Sequence, residues 1–172
     1  MPTPKPIAGD HLDAITLPKV GGGTVTLGGM RDNWSLLVVY RGKHCGRCKK
    51  YLKILNEMRD KWYDAGFDIA VVSADPLDKA QADRDAFDWQ FDLGYDLSEA
   101  HMAALGVYVS EPLTAAETDR RFAEPGVFVV RPDGSLLLIS ISNGPSARPE
   151  LEELLDGMIF TIENERPPRG TA

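Results

Sequence analysis

The chain holds two cysteines, three positions apart, in Tyr40-Arg41-Gly42-Lys43-His44-Cys45-Gly46-Arg47-Cys48-Lys49-Lys50. This C-x-x-C pair follows an apolar run and precedes a helical pattern. Both thiols therefore lie on one side of a helix start and can close a short disulfide. Backbone N–H groups at a helix N-terminus favour a thiolate over a thiol, and the thiolate is the reactive form. Arg41, Lys43, Arg47, Lys49 and Lys50 crowd the motif and His44 adjoins Cys45, so these groups are expected to push a thiol pKa down from its usual value near ~8.5. Arg47, between the sulfurs, should also make the disulfide more oxidising by stabilising the thiolate form. Lys49 and Lys50 have a plainer alternative role as the solvated face of a helix. Half a zinc site is the rival to redox chemistry. It needs further ligands, for which the chain offers only His11, His44 and His101, and His44 is too close in sequence to complete a good tetrahedron with both cysteines.

The elements that must position this pair are legible from pattern. Ser35-Leu36-Leu37-Val38-Val39-Tyr40 is a continuous apolar run, as in a central strand covered on both faces. From Cys45 to about residue 65, Tyr51, Leu52, Leu55, Met58 and Trp62 recur at helical spacing, and Gly66 ends the helix. Asp68–Ser73 reads as a second buried strand. Asp75-Pro76 then gives a cap and first-turn signal for a helix to about Phe87. Asp96-Leu97-Ser98-Glu99 is expected to open a short helix ending near Gly106, and 107–123 to form a loop or irregular helix. Val127–Val130, the Pro132-Asp133-Gly134 turn and Leu136–Ile141 predict an antiparallel hairpin, and the segment after Pro149 an amphipathic helix. Ala14–Leu17 and Thr24–Leu27 flank a triple-glycine turn and read as a further hairpin. This order predicts an α/β sandwich with a mixed sheet.

With 172 residues, 43% hydrophobic and 26% charged, the chain is expected to form one domain over 1–172, with 1–9 and 166–172 as mobile tails. The net charge of −7 argues against nucleic acid or an anionic membrane as partner. The N-terminus lacks the apolar core of a signal peptide, and no apolar run approaches the roughly 18 residues that span a bilayer. A cytoplasmic setting is the expectation, and two cysteines there point to redox or metal chemistry rather than a structural bridge. Trp34, Trp62 and Trp89 are expected in packing roles and His101 on an exposed helix face.

With C-x-x-C where the first long helix begins, the pattern resembles a thioredoxin fold. The implied architecture is a three-layer α/β/α sandwich with a mixed central sheet and an N-terminal hairpin extension. From about Pro6 to Ile162 the chain also resembles peroxiredoxin-like proteins of the AhpC/TSA (redoxin) group. The likeness rests on the ordered segments Gly9–Leu17, Leu37-Val38-Val39-Tyr40, Ala65–Asp75 and Val127–Gly134. Peroxiredoxins carry P-x-x-x-T-x-x-C after the strand's aromatic residue. Aligned on Tyr40, Arg41 replaces the proline, Cys45 the threonine that hydrogen-bonds the thiolate, and Cys48 falls at the peroxidatic cysteine. Thioredoxins instead attack with the first cysteine, here Cys45, and set a cis-proline before the next core strand, where Pro125 stands. Peroxiredoxins place a thiolate-supporting arginine near that point; this chain has Glu124-Pro125-Gly126, and Glu124 is a candidate for proton transfer.

The resemblance implies an antioxidant thiol oxidoreductase that cycles between dithiol and Cys45–Cys48 disulfide, with Arg41, His44, Arg47 and Pro125 in support. In one register Cys48 reduces a hydroperoxide. In the other Cys45 reduces a protein disulfide. A redox sensor without turnover is a third reading. No cofactor or metal is implied; the expected partners are a hydroperoxide or disulfide substrate and a thioredoxin- or glutathione-type reductant. The resemblance also allows a homodimer, for which the Tyr108–Phe122 insert has spare apolar surface.

Overall fold

The computed structural model describes residues 3–172. Its centre is a five-stranded mixed sheet built from β3 (Trp34–Val39), β4 (Phe67–Val72), β5 (Asp92–Gly94), β8 (Gly126–Val130) and β9 (Leu136–Ile141). The spatial order is β5-β4-β3-β8-β9, with β3–β4 and β4–β5 parallel and β3–β8 and β8–β9 antiparallel. β3 sits in the middle and is apolar at every position after Ser35, because both its faces are covered. Leu36, Val38 and Tyr40 enter one core, while Leu37 and Val39 enter the other. This is the period-2 alternation of a strand, used twice.

The first core lies under α1 (Gly46–Asp64), α2 (Leu77–Phe87) and α4 (Leu151–Glu163). α1 buries Cys48, Leu52, Leu55, Met58 and Trp62 along one stripe, and Trp62 meets Phe67 edge-on at 5.0 Å. Each large apolar side chain taken from water contributes roughly 1.5–3 kcal/mol, so this stripe fixes the seat of the helix on the sheet. The second core is covered by the hairpin β1 (Ile15–Pro18) and β2 (Thr24–Leu27), and by α3 (Glu99–Leu105). The expected thioredoxin-like α/β/α arrangement with an N-terminal hairpin is what the chain adopts.

Several local expectations are corrected. Asp75 does not cap α2: Pro76 is the N-cap residue with no side-chain bond, and the Asp75 carboxylate turns instead to the loop after β3, at Lys43. α3 opens within Asp96–Glu99 as expected, starting at Glu99, where Ser98 and His101 form a reciprocal cap; Ser98 Oγ accepts the His101 N–H and His101 Nδ1 accepts the Ser98 N–H, each at 3.2 Å. β5 was not anticipated; three residues are too few to show a period. The stretch 107–123 is neither loop alone nor helix, since β6 (Val109–Ser110) and β7 (Phe122–Ala123) pair antiparallel within it.

Part of the expected tails is tied down. The Gly9 N–H bonds the Leu136 carbonyl at 2.8 Å, Lys5 Nζ bonds the Gly106 carbonyl at 2.9 Å, and the Arg166 carbonyl accepts from Arg131 at 2.8 Å. Met1 and Pro2, also within the expected N-terminal tail, lie outside the described residues.

Candidate active site

The site forms where β3 hands over to α1. The Tyr40 N–H bonds the Val72 carbonyl at 3.0 Å, completing the strand, and the chain then turns through Arg41-Gly42-Lys43-His44. Gly42 takes φ +131°, and a β-carbon there would stand 2.7 Å from Asp75 Oδ1, so glycine is required twice over. Asp75 Oδ2 accepts the Lys43 N–H at 2.7 Å, pinning this loop to the end of β4. Burial pushes the Asp75 carboxyl up to about 6, against the opposing pull of that N–H.

Cys45 is the N-cap residue of α1, and its Sγ accepts the Cys48 N–H at 3.2 Å. Cys48 lies in the first turn. The two sulfurs form a disulfide, with Cα atoms 5.3 Å apart. A sulfur in the N-cap place takes one of the helix's otherwise unpaired N–H donors, which favours negative charge on it. Both residues are buried, Cys45 at 4% exposure and Cys48 at 0%.

The motif's own cations are placed differently from expectation. Arg41 turns away to carboxylates, with Nε 3.1 Å from Glu124 Oε2 and Nη2 3.8 Å from Glu117 Oε1, and its guanidinium stacks over the Phe122 ring. The buried Glu124 also accepts from Ser110 Oγ at 2.7 Å, so its two oxygens are engaged in holding Arg41 and β6. Lys43 and Lys49 both approach the buried Asp83, at 3.5 and 3.8 Å. Lys49 is therefore more than a solvated helix residue. The His44 ring packs on Phe122 at 4.6 Å; burial and then the Arg41 charge hold its pKa below the usual value, so it is neutral at neutral pH. Arg47 and Lys50 are exposed.

Pro125 enters β8 through a trans peptide, as no described peptide bond is cis. The cis turn implied by the thioredoxin resemblance is absent. The Pro125 carbonyl instead accepts the Ser142 N–H at 3.1 Å, which holds the β8 entry against the end of β9.

The cation at the sulfur is Arg148, which sequence reasoning missed. Among the described residues it is the one side chain that donates to either cysteine, with Nη2 3.1 Å from Cys48 Sγ. The same nitrogen donates to the Pro145 carbonyl at 2.6 Å, and the guanidinium lies 4.9 Å over the Tyr51 ring, whose hydroxyl donates to the Pro149 carbonyl at 2.7 Å. Burial, opposed by Tyr51 and reinforced by the Arg41 charge, holds the Arg148 pKa below the usual guanidinium range. The available signal was its setting: a single arginine in the short Pro145–Pro149 segment between β9 and α4.

A dithiol with a guanidinium on the inner sulfur and a helix N–H donor on the outer one is built to hold negative charge at either position. Its two thiols can pass two electrons and two protons to an oxidant as the disulfide closes, and take them back from an external thiol as it reopens. A model of the AhpC/TSA family matches residues 8–139. No curated protein matches the sequence. Among solved structures, a peroxiredoxin-like protein from Aquifex aeolicus aligns at 18% identity over 92% of this chain and 89% of its own, with a TM-score of 0.77. Mycobacterium tuberculosis AhpC aligns at 19% identity over 95% and 96%, with a TM-score of 0.74. Plasmodium vivax 2-Cys peroxiredoxin aligns at 14% over 93% and 83%, with a TM-score of 0.77. At such identities these likenesses concern the fold.

Proposed function

Because the chain belongs to the AhpC/TSA family and is a thiol oxidoreductase, we propose that it reduces hydroperoxides, with Cys48 attacking and Cys45 resolving. The observation that carries this register is the Arg148 guanidinium 3.1 Å from Cys48 Sγ, which supports a thiolate there. The Cys48 thiolate attacks one peroxide oxygen, the O–O bond breaks, the sulfur becomes a sulfenic acid, and the alcohol or water leaves with a proton. Cys45 then attacks the sulfenic sulfur, closing the disulfide and releasing water. A thioredoxin- or glutathione-type reductant supplies the two electrons by exchange. It attacks Cys45, the less buried sulfur at the helix end, and Cys48 leaves as a thiolate beside Arg148.

The second reading is a disulfide reductase with Cys45 as nucleophile, and the N-cap position of Cys45 favours it. Single-cysteine variants separate the two. Under the peroxidase reading, Cys45→Ser consumes one equivalent of peroxide and stops at the sulfenic acid, while Cys48→Ser reacts no faster than free cysteine. The reverse pattern, or fast mixed-disulfide formation by Cys48→Ser with a protein disulfide and no peroxide reactivity anywhere, would replace it. Coupled turnover with a thioredoxin system also excludes a sensor without turnover. A cytoplasmic setting suits the cycle because a reducing pool restores the dithiol; no described helix is long and apolar enough to cross a membrane. A homodimer through the segment around Leu113, which is 89% exposed, is the assembly this reading favours.

A further inference from the structure

Asp83 is an acid on the buried face of a helix. α2 turns Ala80 and Asp83 inward, three residues apart, and the Asp83 side chain is 1% exposed. An apolar residue there would seal α2 against the core without the cost of burying a carboxylate, and replacing a buried ion pair by apolar groups is commonly neutral or stabilising. Burial raises the Asp83 pKa, and the Lys49 and then the Lys43 charge pull it back. What this acid holds is therefore informative. Its Oδ1 stands 3.5 Å from Lys43 Nζ and 3.8 Å from Lys49 Nζ, while Oδ2 has no hydrogen-bond partner among the described residues.

Those two lysines bracket the C-x-x-C pair. Lys43 lies two residues before Cys45, and Lys49 directly follows Cys48. Consecutive Cα atoms are ~3.8 Å apart, so chain connectivity keeps both ammonium groups within about 10–15 Å of the nearer sulfur. Charges shielded from water are screened less over such distances than exposed ones. Each lysine is also anchored a second way. The Lys43 N–H donates to Asp75 Oδ2 at 2.7 Å, and Lys49 Nζ lies 5.8 Å over the Phe87 ring. One carboxylate against two ammonium groups leaves a single positive charge beside the disulfide. Removing the acid doubles that charge, and removing one lysine cancels it.

We infer that Asp83 is a positioning residue that sets the redox poise of the Cys45–Cys48 couple. By holding Lys43 and Lys49 it offsets half of their charge, so the thiolate form is less stabilised, and the disulfide less oxidising, than the flanking lysines alone would make it. The inference rests on dithiol–disulfide chemistry and is independent of which sulfur attacks. Reduction of the pair takes two electrons and two protons from two molecules of glutathione, which leave as glutathione disulfide, and the charge beside the sulfurs biases that equilibrium.

Equilibration of the protein with glutathione redox buffers at about pH 8, read by thiol trapping, tests this. Relative to wild type, Asp83→Asn should favour the dithiol by roughly three- to tenfold, tenfold being about 30 mV for this two-electron couple. Lys49→Gln should move the equilibrium the opposite way, since Asp83 then meets Lys43 alone and no surplus charge remains. The triple variant Asp83→Asn/Lys43→Gln/Lys49→Gln, with no charge in the cluster, should lie with Lys49→Gln. A clamp that acted only by holding the loop in shape would move Asp83→Asn and the triple variant together, because both lose the same ion pairs, and that result overturns the inference. So does an equilibrium within about twofold of wild type for Asp83→Asn. Should Asp83→Asn fail to fold, Lys49→Gln and the triple variant carry the test, and either one matching the wild type overturns the inference. A wild-type pair that never equilibrates with glutathione overturns the oxidoreductase reading and the inference with it; unmoved variants of a responsive wild type overturn the inference alone.

Discussion

Replacing Arg148 with methionine should move the Cys48 thiol titration up by about 1–2 pH units and slow its reaction with peroxide wherever the pH falls below the new titration point. The donor stands 3.1 Å from the sulfur. A unit charge pair at that distance, with an effective dielectric constant of ~20, interacts by about 5 kcal/mol, which is an upper bound. The cost of burying the guanidinium offsets part of it, the same cost that holds the Arg148 pKa below its ordinary range. Hydrogen bonds to charged groups contribute ~1.5–3 kcal/mol in mutational series, and at ~1.36 kcal/mol per pH unit that gives the range stated. The assay is thiolate ultraviolet absorbance against pH in the Cys45→Ser background, where Cys48 is the sole thiol. Because Arg148 also bonds the Pro145 carbonyl and stacks on Tyr51, thermal unfolding must accompany it, and Arg148→Lys should recover part of the shift by restoring the charge without the fork. The parallel titration of Cys45 in the Cys48→Ser background should move less, since Arg148 donates to the other sulfur. A Cys48 titration that stays within a few tenths of the parent in a folded Arg148→Met protein would refute the electrostatic role.

Asp75 links stability to pH. Its folded pKa, about 6, lies above the ordinary carboxyl value of 3.8, so between those values the folded state binds more protons than the unfolded one. Stability from this group is therefore greatest at the acid end and falls as pH rises toward 6, by about 3 kcal/mol in all; the difference between wild type and Asp75→Asn, measured by denaturant unfolding across that window, should carry this slope, and parallel curves would exclude it. Gly42→Ala should destabilise by ~1–3 kcal/mol, since φ +131° and a β-carbon 2.7 Å from Asp75 Oδ1 are both unfavourable; a melting temperature equal to wild type would show that the loop relaxes freely. Leu52→Ala removes a fully buried side chain from beneath the site and should cost about 2–5 kcal/mol while leaving the disulfide able to form, as read by thiol counting after denaturation.

Much of the scaffold was determined by local pattern. β3 is recognisable because both its faces are buried, so every residue after Ser35 is apolar; α1 is recognisable because a single stripe of it meets the sheet. The Cys45–Cys48 pair was equally legible, since a bridge across three residues needs only the geometry of one helix start. Short or compensated elements were not. β5 exists because Ala70, Val71 and Val72 offer it an edge, and Asp75 faces Lys43 rather than capping α2 because the active-site loop passes within its reach.

The same division runs through the active site. The sequence by itself determined that two thiols meet at a helix N-terminus, and it left both registers open, Cys48 or Cys45 as the attacking sulfur. Which cation serves which sulfur was decided by tertiary structure. Arg41, Lys43 and Lys49, adjacent in sequence, are drawn to Glu124, Glu117 and Asp83, because a buried carboxylate binds whatever cation the fold brings near it. Arg148, 100 positions from Cys48, arrives because β9 and α4 pack beside α1 and the segment between them has one place to go. Sequence proximity fixes contacts only within a turn of helix; beyond that, charge follows packing.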